Sequence, residues 1–169
     1  MAQTVYEFDP VTHITAGAIG EPGHRTFFIQ AQHGLDTISL LCEKLHVQAL
    51  IQAIDEMLAN LEAEFGITRH SDLTVDEAVM AIKEPVDPLF PVGAMGLGYD
   101  ANRDRVLLVA QEAVGEDAQR DPLEVRFFAT RAQMQALSAY AKEVVARGRP
   151  PEVVALQAEA HARRNGHVE

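Results

Sequence analysis

Residues 90–100 read FPVGAMGLGYD, with Gly93, Gly96 and Gly98 inside six positions. The fold class turns on how this stretch is read. If the glycines form a loop that opens a helix, their backbone N–H groups cradle a phosphate, as in nucleotide-binding folds. If they lie on a strand, they mark a bulge or a close approach of another backbone. The spacing is neither GxGxxG nor GxxxxGK[ST]. No helix signal follows. Instead there is a polar turn, Asp100–Asp104, and then RVLLVAQ at Arg105–Gln111, whose apolar content reads as a strand. Val92–Tyr99 therefore reads as a glycine-thinned strand that opens a hairpin.

The preceding half gives the same kind of pattern. Thr4–Phe8 reads as a strand ended by Asp9-Pro10, and His13–Ile19 as a second. Glu21-Pro22-Gly23-His24 suits a type II turn, where Gly23 takes positive φ. The return strand, Arg25–Gln32, alternates Phe27, Ile29 and Ala31 with Phe28, Gln30 and Gln32 on opposite faces. After Gly34, Thr37–Cys42 reads as a buried strand. The period then changes. Val47, Leu50, Ile51, Ile54, Leu58, Leu61 and Phe65 recur at helical spacing, which predicts a helix from Leu45 to Phe65 stopped by Gly66. Residues 67–89 read as an acidic connection with a short helix at 74–82, capped by Thr74 with Glu77. Pro85, Pro88 and Pro91 keep the chain extended. Beyond the glycine stretch, Leu123–Ala129 reads as a strand and Arg131–Ala146 as a second helix.

Ser39–Leu58 and Arg126–Val145 echo one another. Gln48-Ala49-Leu50 matches Gln135-Ala136-Leu137, Glu56 matches Glu143, and Lys44 matches Arg131. Any two amphipathic strand–helix units share some of this, so the echo favours two related units without requiring them. The expected fold is α+β: antiparallel sheet covered by two long helices, as a pseudo-symmetric β-hairpin/strand/helix repeat. Residues 1–149 form one domain in this reading, and 150–169 a C-terminal helical tail that starts after Pro150-Pro151.

A chain of 169 residues with 47% hydrophobic content can bury a self-sufficient core. Its net charge of −11 disfavours nucleic acid and anionic lipid as partners. Cys42 is the only cysteine, so neither an intrachain disulfide nor a thiolate zinc site can form. The seven histidines show no HxH, HxxxH or HExxH spacing, and no metal or cofactor is expected. MAQTVYEFDP lacks a basic region followed by an apolar run, and no segment is apolar enough to span a membrane, so a cytoplasmic protein is expected.

No nucleophile–base or paired-carboxylate motif stands out. The candidate ligand residues are Gly93, Gly96 and Gly98 together with Arg25, Glu43, Lys44 and Arg131, which fall at strand starts and strand–helix joins. In a pseudo-symmetric chain Lys44 and Arg131 occupy equivalent positions near one cleft and hold a carboxylate or phosphate. The bland alternatives are a solvated ion pair for the charges and close packing for the glycines.

Several blocks together resemble an uncharacterised family, DUF3090, found mainly in actinobacteria. They are YEFDP, AGAIGEPGHRTFFIQA, ISLLCEKLHVQAL, FPVGAMGLGYD and RGRPP, spread over residues 4–151. The resemblance implies no activity. Family members usually follow RGRPP with a cysteine/histidine knuckle, whereas here EVVALQAEAHARR follows, without cysteine. The leading functional expectation is a non-catalytic protein-binding or adaptor module, with a protein partner and room for a homo-oligomer. The alternative is a small-molecule-binding protein or enzyme with a cleft near residues 90–100.

Overall fold

The computed structural model describes residues 3–71 and 73–147. The expected tail at 150–169 lies outside the described residues. Seven strands and three helices follow in the order β1 (Val5–Phe8), β2 (His13–Ile19), β3 (Thr26–His33), β4 (Asp36–Cys42), α1 (Lys44–Phe65), α2 (Glu77–Met80), β5 (Pro88–Asp100), β6 (Arg105–Glu112), β7 (Glu124–Ala129) and α3 (Arg131–Arg147). The strands form one sheet in the order β1-β7-β6-β5-β4-β3-β2.

The class is α+β, but the sheet is mixed, which corrects the antiparallel expectation. β4 pairs with β5 in parallel, and β1 with β7 in parallel. The other neighbours are antiparallel. The cause is connection length. Hairpins join β2–β3–β4 and β5–β6–β7, while the chain leaves β4 through α1 and a long return before entering β5. A crossover of that kind delivers the next strand in the same direction.

Strong curl is required of this sheet. β1 and β2 lie at opposite ends of the strand order, yet only residues 9–12 separate them. Six flat strand spacings would span roughly 29 Å, whereas five residues of extended chain reach roughly 17 Å. The link is pinned at both sides: Val11 N–H donates to Phe128 O (2.8 Å) and Thr12 N–H to Gln32 O (2.7 Å). Phe8 closes the seam, its ring 5.7 Å from Phe127 and 5.6 Å from His33.

One sheet face is the core. Alternate residues on each strand, among them Ile29, Leu40, Leu108 and Phe127, are fully buried there. The apolar stripe of α1 (Val47, Leu50, Ile54, Leu58) joins this core with Met134, Leu137 and Ala141 of α3. The two helices are tied by Asp55, which accepts from Ser138 Oγ at 2.7 Å and pairs with Lys142 Nζ at 2.7 Å. Gly66 ends α1 in the left-handed conformation, as its sequence position predicts. Gly23 has φ +89°, and His24 N–H donates to Glu21 O, in keeping with the expected turn.

The opposite face is treated differently in its two halves. After α2, residues 80–84 run as a strap over β2 and β3. Thr15 Oγ1 donates to Met80 O. Gln30 holds Lys83 by both backbone groups, Nε2 to its O at 3.1 Å and Oε1 from its N–H at 2.8 Å. Ile82 packs over Gly17. The short helix is smaller than expected, and its cap is Asp76, whose Oδ1 accepts from Ala78 N–H, rather than Thr74. Asp76 takes the role because it stands directly before the first helical residue.

Candidate functional site

The joins that the sequence singled out separate into two places. Arg25, Glu43 and Lys44 come together. They line a pocket of about 380 Å³ with Gly23, Thr26, Phe27 and Cys42. The pocket forms because β3 begins where β4 ends, with Phe27 opposite Cys42, and α1 starts two residues after Cys42. Glu43 is the N-cap of α1, and its backbone N–H donates to His46 Nδ1 at 3.0 Å. Lys44 is the first helical residue, so the pocket sits at the positive end of the α1 dipole.

Arg25 is the unusual member. Its guanidinium lies over the Phe27 ring, 4.8 Å from the centroid. Nη2 is shielded from solvent and has no hydrogen-bond partner among the described residues. Burial, and then the nearby charge of Arg147, pull the Arg25 pKa below its ordinary value. Two cations thus face one carboxylate in this pocket, with one donor unused. Burial, and then Glu43, push the Cys42 thiol up to about 12, so it stays protonated.

Arg131 is elsewhere, which separates it from its sequence counterpart Lys44. Its Nε and Nη2 clasp the Asp104 carboxylate at 2.8 and 3.0 Å, and its Nη1 donates to Thr68 O at 3.3 Å. Tyr99 Oη donates to the same carboxylate at 2.6 Å. Asp104 itself has φ +51° in the β5–β6 turn. The Arg131 and Tyr99 hydrogen bonds hold its carboxyl down to about 2. Arg131 is therefore a structural clamp from α3 to the turn. Neither Asp104 nor Tyr99 was among the sequence candidates. An acid in a turn is commonplace, and its partner stands 27 residues away.

This clamp has a testable pH signature. The folded carboxyl titrates below the roughly 3.9 of an unfolded Asp, so its contribution is present above about pH 4 and is lost as pH falls toward 2. Asp104→Asn keeps the tolerated left-handed backbone and removes the charge. It is expected to cost about 1 kcal/mol at neutral pH, after discounting for a half-exposed carboxylate. The difference from wild type should shrink in urea titrations between pH 4 and 2. A difference that is the same at pH 7 and pH 2 contradicts the clamp.

The three glycines also part company. Gly93 sits at a register shift in the β5–β6 ladder, and a Cβ there would lie 2.8 Å from Ala113 Cα and 3.1 Å from Glu112 O. Gly96 and Gly98 face the side of the sheet away from the core, and a Cβ at either would meet nothing within 4 Å among the described residues. Near the same strand, a groove of about 630 Å³ runs between the second half of α1 and the end of β5. Met57, Leu61, Phe65, Leu97 and Tyr99 line it, with Glu56 and Glu64 among its polar members. It touches the end of the 90–100 stretch, and its walls are side chains of α1 and β5 rather than the glycines. Among the described residues no group of three or more metal-ligating side chains converges, and no helix is long and apolar enough to cross a membrane.

A family model described as "Protein of unknown function (DUF3090)" matches residues 6–162, and the chain belongs to that family. No curated protein and no solved structure matches the chain.

Proposed function

We propose that this DUF3090 member is a non-catalytic binding module whose Arg25/Lys44 pocket takes a small anionic group, a carboxylate or a phosphate. The observation that carries the reading is that the cations Arg25 and Lys44 line one pocket at the start of α1. An anion held there takes charge-assisted hydrogen bonds from the two cations and the favourable end of the α1 dipole. The protonated Cys42 thiol supports binding over catalysis. The net charge of −11 supports keeping nucleic acid and anionic membrane surfaces out of the partner list, in line with a cytoplasmic protein.

A protein-binding or adaptor role is the second reading. The outer face of β5–β7, with Leu107, Val109 and Phe128 half-buried among the described residues, supports it. The repeat of a three-strand meander followed by a helix, β2–β4 with α1 and β5–β7 with α3, supports treating the halves as related units.

Titration calorimetry with inorganic phosphate and with acetate tests the first reading. One of the two should bind, more weakly as salt rises, and Arg25→Gln or Lys44→Gln should weaken it at least tenfold. Binding that neither variant changes, or no binding of either anion, refutes the anion pocket.

A further inference from the structure

We infer that the bare face of β5–β6–β7 is a contact surface for a second copy of this chain. Strand register decides which side chains it presents. Gly96 lies opposite Val109 and Gly98 opposite Leu107, while Leu107 and Val109 lie opposite Phe128 and Arg126. Their neighbours Val106, Leu108, Ala110 and Phe127 point to the core and are fully buried. This face therefore carries a half-buried apolar ridge, Leu107 and Val109, flanked by Phe128 under Arg103, beside a shallow channel over Gly96 and Gly98 that no described residue fills. Among the described residues, the strap of residues 80–84 covers β2 and β3 on this side of the sheet.

Charge decides the partner. A chain of net charge −11 repels its own copy over most of its surface. This face is an exception. Three arginines, Arg103, Arg105 and Arg126, offset four carboxylates, Glu7, Asp9, Asp100 and Glu124, which leaves it near neutral. Most of these charges are already engaged. Arg103 pairs with Asp9 and covers the Phe128 ring at 5.0 Å, and Arg126 pairs with Glu124 at 2.7 Å. The surface is thus an apolar centre inside a neutralised polar rim, the arrangement of a protein contact. A two-fold axis lets the ridge of one copy enter the glycine channel of the other, and the reverse, so the same patch serves both sides. Glycine at 96 and 98 lets the second backbone approach more closely than the usual sheet-to-sheet spacing. No feature of the Arg25 pocket enters this inference, so the two can fail separately.

Sedimentation equilibrium of the full chain at micromolar concentration tests it. The expected result is a reversible dimer. Val109→Glu places like charges across the two-fold, and Gly96→Gln fills the channel at a position where the single chain has space. Each should weaken dimerisation at least tenfold, with unchanged circular dichroism. Glu56→Gln, on α1, should not. A full chain that stays monomeric overturns the inference, including the case in which residues 148–169 or a different protein cover the face. A dimer that both face variants leave intact overturns it as well.

Discussion

Gly93→Ala is expected to destabilise the protein by about 2–3 kcal/mol, while Gly96→Ala, three residues along the same strand, leaves the stability of the single chain unchanged or raises it by about 0.5–1 kcal/mol. The two glycines look alike in FPVGAMGLGYD and differ entirely in surroundings. A methyl at 93 would sit 2.8 Å from Ala113 Cα and 3.0 Å from its N, both backbone atoms of the facing segment. Backbone cannot rotate aside as a side chain does. The ladder would have to open where Ala113 N–H donates to Pro91 O at 2.7 Å. At 96 a methyl meets nothing, and φ is not in the left-handed range, so alanine only restricts the unfolded chain. Thermal unfolding should separate the two. A loss of 2–3 kcal/mol corresponds to roughly 4–12 °C in a chain of this size. Equal melting temperatures for the two variants would show that the bulge does not need its glycine.

Gln30→Leu is expected to cost about 2 kcal/mol, from lost hydrogen bonds at a buried site. Gln30 is only 2% exposed, on the sheet face away from the core. Its amide bonds both backbone groups of Lys83 and donates to Ser39 Oγ at 3.1 Å. Leucine is close in size but makes none of these bonds, so the strap loses its main anchor while the helix-covered core is untouched. The effect should be local as well as global. Amide hydrogen exchange should accelerate over residues 80–84 well before it does in β3. Protection of the strap equal to that of wild type would show that Ile82 and Thr15 suffice to hold it.

Much of the fold was legible in the chain. Strands and helices respond to period, and the period here is clean. TFFIQA alternates, the α1 stripe repeats every three or four residues, and Gly66 stops it. The glycine stretch was correctly read as strand because a strand, not a helix, follows it. The parallel pairs were not legible. Period 2 is the same in parallel and antiparallel strands, so the direction of β5 beside β4 depends on where the return from α1 lands. The strap was missed for a similar reason, since an irregular segment has no period and shows itself only through what it touches.

The candidate site was legible in part. Arg25, Glu43 and Lys44 were found from their positions at strand–helix joins, and the structure brings them into one pocket. The Lys44–Arg131 pairing was not realised, because Arg131 is committed to Asp104. Matching positions in two amphipathic units say nothing about which acid lies within reach.

By itself, the sequence determined the family, the helices, the strands and the absence of a nucleotide-type glycine loop, because these follow from local spacing and residue chemistry. Only the tertiary structure decided strand direction, the curl that joins β1 to β2, and the different fates of three similar glycines. It also decided that Arg25, Glu43 and Lys44 share one pocket while Arg131 does not line it. Each of these depends on which distant backbone or side chain arrives nearby, and a chain's pattern records its own periodicity but not its neighbours.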